Sequence, residues 1–390
     1  MADKQPPPLM GATAIRPPDR VGAEKYTHIL YDPKNGTILT RTPKSWGLII
    51  LFYCIYYSCL AAFWLACMKI FLTIQIQDPS VLDTAKPTWT KGDSIIGVRP
   101  GIGIRPLQTY EEVDSGIYEL DMGDVPADPK QMETDYAEYK VKNLIDDEKN
   151  EWIMDYLLTV KGSKGYAYRT AAFFKVYKEN KEKGIGKLCK AGDLDKDGYR
   201  KSSVDLCQFD TSKLQECEKY PYGYSSKDGK FKPCVFVKMN RIMDLKPPAI
   251  TSKSKADESI TKDAATLKIF DAIKAADKKD RVYINCEGSY PADKEGVKIN
   301  VFPSAGLSTQ DDEGNAVPLN GLGYIPLKYF PYSQFRKGGN ESPMIAVQFS
   351  GLENAKGRLI HVMCKAFFDG VIHSKKDKAG LVQFEVFLNA

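Results

Sequence analysis

The segment GLIILFYCIYYSCLAAFWLACM, from Gly47 to Met68, decides the architecture because it contains no Asp, Glu, Lys, Arg or His. After Lys69 the chain stays uncharged and largely apolar through Ile76. About 20 consecutive apolar residues cross a bilayer as a helix, since a helix satisfies its backbone hydrogen bonds internally. Buried helices of soluble proteins rarely carry so long an apolar run. We therefore predict one transmembrane helix over residues 46–76.

The charges on either side of this span predict its orientation. The preceding segment carries four cations close to the membrane: Lys25, Lys34, Arg41 and Lys44. The following segment mixes both signs: Asp78, Asp83, Lys86 and Asp93. The positive-inside rule therefore keeps the N-terminus in the cytosol, which makes this a single-pass type II protein. Residues 1–45, rich in Pro and charge, are predicted to form a flexible cytoplasmic tail.

The cysteines agree with this orientation. Three of the nine, Cys54, Cys59 and Cys67, lie inside the span, where a thiol behaves as a small apolar group. The other six all follow the span: Cys189, Cys207, Cys217, Cys234, Cys286 and Cys364. An even number of cysteines is typical of an oxidising compartment, although the spacing alone leaves many pairings open.

The chain after the span divides by composition. Residues 77–133 contain many Pro and Gly and are predicted to form an extracellular stalk and extended segment. Between Asp135 and Val160 the apolar residues recur at steps of three and four, which predicts an amphipathic helix.

Alternation of apolar and polar residues begins at Cys234 and returns in several later segments. This period of two is typical of strands, so residues 134–390 are predicted to form a mainly-β ectodomain, a β-sandwich with one long helix. Residues 251–280 are rich in Lys, Asp and Ser and are predicted to be a surface excursion.

One acidic loop resembles part of a metal-binding site. Asp193, Asp195, Asp197 and Gly198 match the first half of a calcium-binding EF-hand loop. The twelfth position is Val204 instead of a bidentate Glu, and the loop lies between two cysteines without flanking helix patterns. We interpret it as a solvated acidic turn.

The sequence gives little support for an enzymatic function. An Asp193-x-Asp195 pair also suits a type II glycosyltransferase, but the chain has no alternating βαβ pattern for a nucleotide site. Its three His lack metal-ligand spacing, and it has neither a Walker loop nor the Asp-Lys-Thr-Gly motif of a pump's catalytic chain. The net charge of +5 is small, and positive and negative residues are interspersed along the chain. We predict no catalytic residue, metal, cofactor or nucleic-acid partner.

Two tyrosines within the span suggest a protein partner there. Tyr53 and Tyr57 are four residues apart and share a helix face, while Ser58, Ala62 and Ala66 form a stripe of small residues roughly opposite. A hydroxyl in the bilayer is costly unless it is hydrogen-bonded. The tyrosine face is therefore predicted to contact a partner. For the stripe of small residues two alternatives stay open: close packing within the same assembly, or no role.

Several motifs, in order, carry a family resemblance. Near the span they are Tyr31-Asp32-Pro33, Gly36, Arg41-Thr42 and Ser45-Trp46. Later they are Tyr224, the segment 227–230, Pro233-Cys234, Asn240-Arg241 and Lys246-Pro247-Pro248. Toward the C-terminus they are Tyr324-Ile325-Pro326, the segments 329–332 and 343–349, and Cys364-Lys365-Ala366. Together they resemble the β subunits of Na⁺/K⁺-ATPases, with the segment 290–295 most similar to invertebrate members.

The resemblance implies a fold and a function. It implies an immunoglobulin-like ectodomain with sequential disulfides, which here are Cys189–Cys207, Cys217–Cys234 and Cys286–Cys364. It implies a non-catalytic plasma-membrane subunit that assists folding, export and membrane insertion of a catalytic α subunit and modulates potassium affinity. The α subunit, a small single-span regulatory subunit and membrane lipid are the expected partners. The implied α-subunit contacts are Tyr53, Tyr57, Tyr324, Pro326, Tyr329, Pro331 and Tyr332.

The sequence departs from the family pattern in its glycosylation sites. The family usually carries several N-glycans, whereas Asn340 heads the one sequon after the span, and the sequon at Asn35 lies on the predicted cytosolic side. The insertions at 251–280 and 305–322 also exceed the usual pattern. A proton/potassium ATPase β subunit and an additional cell-adhesion role remain alternatives.

Overall fold

The computed structural model describes residues 31–32, 36–39, 41–75, 102–110, 116–142, 156–201, 207–226, 231–240, 242, 245–310, 313–332, 341–376 and 379–389. The chain divides into two compact units, Met1–Gln77 and Asp78–Ala390.

The first unit is dominated by one apolar helix. A short hairpin, β1 (Tyr31–Asp32) with β2 (Thr37–Ile38), precedes helix α1 (Pro43–Gln75). Thr42 caps α1, since its Oγ1 accepts a hydrogen bond from the amide of Ser45 at 3.3 Å, and proline is favoured at the first helical position. The candidate span is Pro43–Ile70. Its 28 residues extend over about 42 Å, more than the hydrocarbon core of a bilayer requires.

The described part of the second unit contains two main sheets and a small hairpin. The strands of the first sheet are β4 (Ile117–Leu120), β6 (Arg281–Gly288), β10 (Leu322–Pro326), β12 (Leu359–Phe367) and β13 (Leu381–Leu388). Those of the second are β3 (Ile102–Arg105), β5 (Cys234–Met239), β7 (Lys298–Phe302) and β11 (Met344–Ser350). The hairpin pairs β8 (Ser308–Gln310) with β9 (Ala316–Pro318), within the segment 305–322.

The strand order is β10-β6-β12-β13-β4 in the five-stranded sheet and β3-β5-β11-β7 in the four-stranded sheet. Neighbours are antiparallel except β13 and β4, which are parallel with Glu385 opposite Ile117. This parallel pair joins residues far apart in the chain and completes the edge of the larger sheet.

One hydrophobic core joins the two sheets. It includes Val237 and Val347 from the four-stranded sheet and Ile284 and Val362 from the five-stranded sheet, all essentially without exposed surface. The rings of Phe349 on β11 and Phe384 on β13 meet edge to face, 6.3 Å apart. The mainly-β prediction for this unit is confirmed, and the immunoglobulin-like topology stays a prediction.

Two helices of this unit bear on the predicted long helix. Helix α2 (Gln131–Lys142) covers the start of the predicted helix, Val160 at its end is not helical, and residues 143–155 between them lie outside the described residues. The longest helix of the described part of this unit is α3 (Gly162–Glu182), which the sequence analysis does not predict. Asp121, just after β4, anchors the start of α3 by accepting a hydrogen bond from the Ser163 amide at 2.6 Å. Gly162 has a φ of +67°, and a side chain there would collide with Asp121.

Aromatic packing explains why α3 was missed. Tyr166 packs on Tyr118 of β4 at 5.3 Å, and Phe174 packs on Phe236 of β5 at 5.1 Å. The buried face of α3 is thus built largely from tyrosine, phenylalanine and small residues, a weaker hydrophobic signal than the aliphatic residues of 141–157.

The predicted surface excursion at 251–280 is ordered and anchored to the core. It folds into two helices, α4 (Glu258–Thr261) and α5 (Ala264–Ala276), which Asp257 and Asp263 cap by accepting amide hydrogen bonds at 2.8 and 3.1 Å. Ile260, Phe270 and Ile273 are buried in the main core. Both helices are short, so a few buried residues suffice to fix them in spite of the charged composition. A further short helix, α6 (Pro291–Gly296), follows β6.

Candidate subunit-contact site

The tyrosine face of the span is part of a cluster of two stacked aromatic pairs. The rings of Tyr53 and Tyr57 lie 5.9 Å apart and nearly parallel, and those of Phe52 and Tyr56 lie 6.2 Å apart. Both predicted contact tyrosines are about half exposed, at 48% and 59%. This arrangement makes a broad aromatic surface that carries hydroxyl groups within an otherwise apolar helix.

The second predicted contact segment runs from β10 into the loop that follows it. Tyr324, Pro326 and Pro331 keep part of their surface exposed. Tyr329 is buried, with its ring 5.5 Å from Phe209, and burial raises its pKa to about 12. Tyr332 is 1% exposed. The two buried tyrosines therefore support this segment from the core, and only the other three present surface outward.

Two arginines that the sequence analysis did not single out hold this segment. The Nη2 of Arg200 donates to the Pro331 carbonyl at 2.6 Å, and the Arg200 amide donates to the Phe330 carbonyl at 3.2 Å. The guanidinium of Arg281 lies 4.3 Å from the ring centroid of Tyr324 and forms an ion pair with Asp280 at 2.7 Å. Arg200 is remote from the segment in sequence, so no local spacing could have identified it.

Three disulfides fix the loops around these residues. The structure links Cys189 to Cys207, Cys217 to Cys234 and Cys286 to Cys364, the sequential pattern that the family resemblance implies. The last bridge joins β6 to β12 at the centre of the larger sheet, where the two cysteines stand directly opposite each other. Cys54, Cys59 and Cys67 of α1 are free and exposed.

The acidic loop uses its carboxylates internally. Asp195 Oδ1 accepts hydrogen bonds from the amides of Asp197 and Tyr199 at 3.0 and 2.9 Å. Asp193 pairs with Lys187 at 2.9 Å, and the hydrogen bond from Lys187 lowers the pKa of Asp193. Among the described residues, no group of three His, Cys, Asp or Glu side chains is arranged to hold a metal ion. The carboxylates of Asp193 and Asp195 are thus hydrogen-bonded to neighbouring groups of the protein.

Several sequence predictions fall outside the described residues. They concern the glycosylation site Asn340, the twelfth loop position Val204 and the tail up to residue 30. These remain predictions.

Comparison with known proteins identifies the family. The family model described as "Sodium / potassium ATPase beta chain" matches residues 18–124 and 148–384, which together make up most of the chain. The chain belongs to this family. Members of the sodium/potassium ATPase beta chain family are the non-catalytic subunit of a pump. The match covers the span, all six cysteines of the disulfides and the segment 324–332.

Individual relatives of this beta chain are similar over nearly their whole length. Sodium/potassium-transporting ATPase subunit beta-1 of Drosophila melanogaster is 27% identical over 95% of both chains. A probable subunit beta-3 of Caenorhabditis briggsae is 26% identical over 94% of this chain and 87% of its own. Subunit beta-1 of Tetronarce californica is 25% identical over 92% and 93%, respectively.

Proposed function

We propose that this chain is the non-catalytic β subunit of a sodium/potassium-transporting ATPase in the plasma membrane. It binds the catalytic α subunit, assists its folding, export and membrane insertion, and modulates the pump's potassium affinity. The observation that carries the proposal is the family match across both the apolar helix and the disulfide-linked unit. A small single-span regulatory subunit and membrane lipid are further partners of the same assembly.

Within the membrane, the stacked face of Tyr53 and Tyr57 is the proposed contact with the α subunit. Apolar surface alone gives little drive for association between helices in lipid, so packing and interhelical hydrogen bonds decide which faces meet. Two exposed phenol groups supply both broad packing area and hydrogen-bond donors. The positive-inside rule directs the second unit to the extracellular side.

Outside the membrane, the proposed contact is the partly exposed surface of Tyr324, Pro326 and Pro331. The Arg281 guanidinium stacked on Tyr324 and the Arg200 hydrogen bonds to residues 330 and 331 hold this surface in one conformation. A surface that is already ordered loses less conformational entropy when a partner binds. A subunit that binds one pump conformer better than another then shifts the pump's equilibrium toward that conformer.

The test is co-expression with a catalytic α subunit in cells that lack their own β subunit. We expect the two chains to co-purify, the surface amount of α to rise, and potassium to activate ATP hydrolysis in the presence of sodium. An α subunit that reaches the surface equally well without this chain would contradict the proposal. Activation by potassium with protons in place of sodium would instead identify a proton/potassium pump.

A further inference from the structure

A cavity of about 300 Å³ lies beside helix α3, apart from the proposed subunit contacts. Its walls are mostly apolar and come from Pro106 and Leu107 after β3 and from Ala172, Phe173 and Val176 on α3. Small-molecule sites are typically concave and apolar, with a few polar groups that fix the ligand's orientation, and this volume is at their lower limit.

The sheet brings two cations to this cavity. Arg105 lies opposite Phe236, and Gly103 lies opposite Lys238, so the side chains of Arg105 and Lys238 share one face of the β3–β5 pair. Phe236 on the same face packs on Phe174 of α3, which shows that this face is turned toward the helix. Arg105 and Lys238 both line the cavity.

Arg105 is the decisive group. Within the described part of the chain its guanidinium makes one hydrogen bond, from Nη1 to the neutral carbonyl of Ile104 at 2.7 Å, and no ion pair. It is partly buried, and this desolvation lowers its pKa. A partly buried guanidinium beside apolar walls favours an anion that supplies the missing charge, because Arg binds carboxylates and related groups through two parallel hydrogen bonds.

The carboxylate that also lines the cavity is engaged elsewhere. Glu341 Oε2 accepts a hydrogen bond from the Phe209 amide at 2.6 Å, and burial raises the pKa of Glu341. Arg169, a further cation of the lining, donates from Nη1 to the carbonyls of Leu157 and Val160, each at 2.6 Å. Among the described residues, the lining therefore holds more positive than negative charge.

We propose that this cavity binds a small amphipathic anion, with its apolar body against Phe173 and Val176 and its carboxylate or sulfonate at Arg105. Lys238 adds a second positive charge on the same face of the sheet. No surface of the proposed pump assembly is needed for this binding, so the inference is independent of the proposed function.

Naphthalene-2-carboxylate is a suitable probe, and 2-naphthylmethanol is its uncharged analogue. The full-length chain is placed in lipid nanodiscs, and saturation-transfer NMR on the probe measures binding, with empty nanodiscs as the blank for partition into lipid. We expect saturable binding of the carboxylate. Arg105→Gln should weaken it at least ~10-fold, as expected for loss of a charged hydrogen-bond partner, and should leave the weaker binding of the alcohol unchanged.

Two further variants distinguish the cavity from the general surface. Val176 is 52% exposed, so Val176→Trp should fold normally while it fills the cavity and reduces binding of both probes. Lys175→Gln removes a neighbouring charge of α3 that pairs with Glu133 and does not line the cavity, and it should leave binding unchanged. Absence of saturable binding above the blank, or equal affinity in Arg105→Gln and the unmodified chain, would overturn the proposal.

Discussion

The ammonium of Lys365 on β12 lies 2.8 Å from Oδ2 of Asp263, the residue that caps helix α5. Lys365 is largely buried, with 10% of its side chain exposed, and it also donates to Thr266 Oγ1 at 2.6 Å. Desolvation would raise the pKa of Asp263, but the hydrogen bonds from Lys365 and Thr266 outweigh it and hold that pKa well below its usual range. This cluster fastens the helical insertion to the larger sheet.

Replacement of Asp263 by Ala should therefore destabilise the second unit. The lost helix cap costs about 1 kcal/mol, and the buried Lys365 loses its carboxylate partner, which adds to that loss. We expect a clear decrease in the free energy of unfolding, measured by denaturant titration of the full chain. Glu258→Gln is the control, because its ion pair with Lys262 is highly exposed on both sides and should contribute little. Equal stability of the two variants would contradict this role.

The stability of this region should also depend on His373. Burial lowers the pKa of His373 below its usual 6.5, while Lys365, Asp257 and Asp263 are the charged groups near it. The unfolded chain then binds a proton at a pH where the folded chain does not, so stability is complete above about pH 6.5 and decreases as the pH falls below it. In His373→Gln, unfolding free energy should decrease less between about pH 7 and pH 5. An unchanged pH dependence would show that His373 does not contribute.

The disulfides can be tested one by one. Peptide mapping without reduction should recover the three sequential pairs, and a peptide that links Cys207 to Cys217 would contradict the arrangement. Replacing both Cys286 and Cys364 by Ser should cost about 2–5 kcal/mol, since this bridge closes the longest of the three loops. Loss of surface expression at normal temperature, with partial recovery at lower temperature, is the expected cellular result.

Replacement of both Tyr53 and Tyr57 by Phe tests the membrane contact. The change keeps the stacked rings and removes two hydroxyls, so membrane insertion should be unaffected. Interhelical hydrogen bonds are worth about 0.6 to 2 kcal/mol each, which is enough to shift a conformational equilibrium several-fold. The double variant should reach the surface with the α subunit but show an altered dependence of pump current on potassium. Wild-type behaviour across potassium concentrations, together with defects in Ser58→Leu or Ala62→Leu, would place the contact on the opposite face.

Elements with a strong local sequence pattern were predictable. The absence of charge from Gly47 to Met68 predicted α1, and alternation predicted strands such as β5 and β13. These signals are local, because each depends only on which residues follow one another within a single element.

Features that depend on distant partners were not predictable. The charged composition of the helices at 258–276 is typical of a solvated surface. Their attachment depends on Lys365 and on the core residues around Ile273, which are distant in sequence. Helix α3 was not predicted because Tyr166 and Phe174 are recognised as core residues only when Tyr118 and Phe236 are near them. The Arg200 contact with Pro331 likewise requires the folded chain.

The parallel pair of β13 and β4 joins a strand that is synthesised early to one that is synthesised late. β13 lies between β12 and β4, and its residues begin at Leu381, so among the described strands β4 has no partner until translation has passed that point. At roughly 5–20 residues per second, the early strand waits for many seconds before this partner is made. Until then the backbone groups along the edge of β4 are free to pair with any other exposed strand, so the larger sheet is open to mispairing for most of the time its strands take to be made.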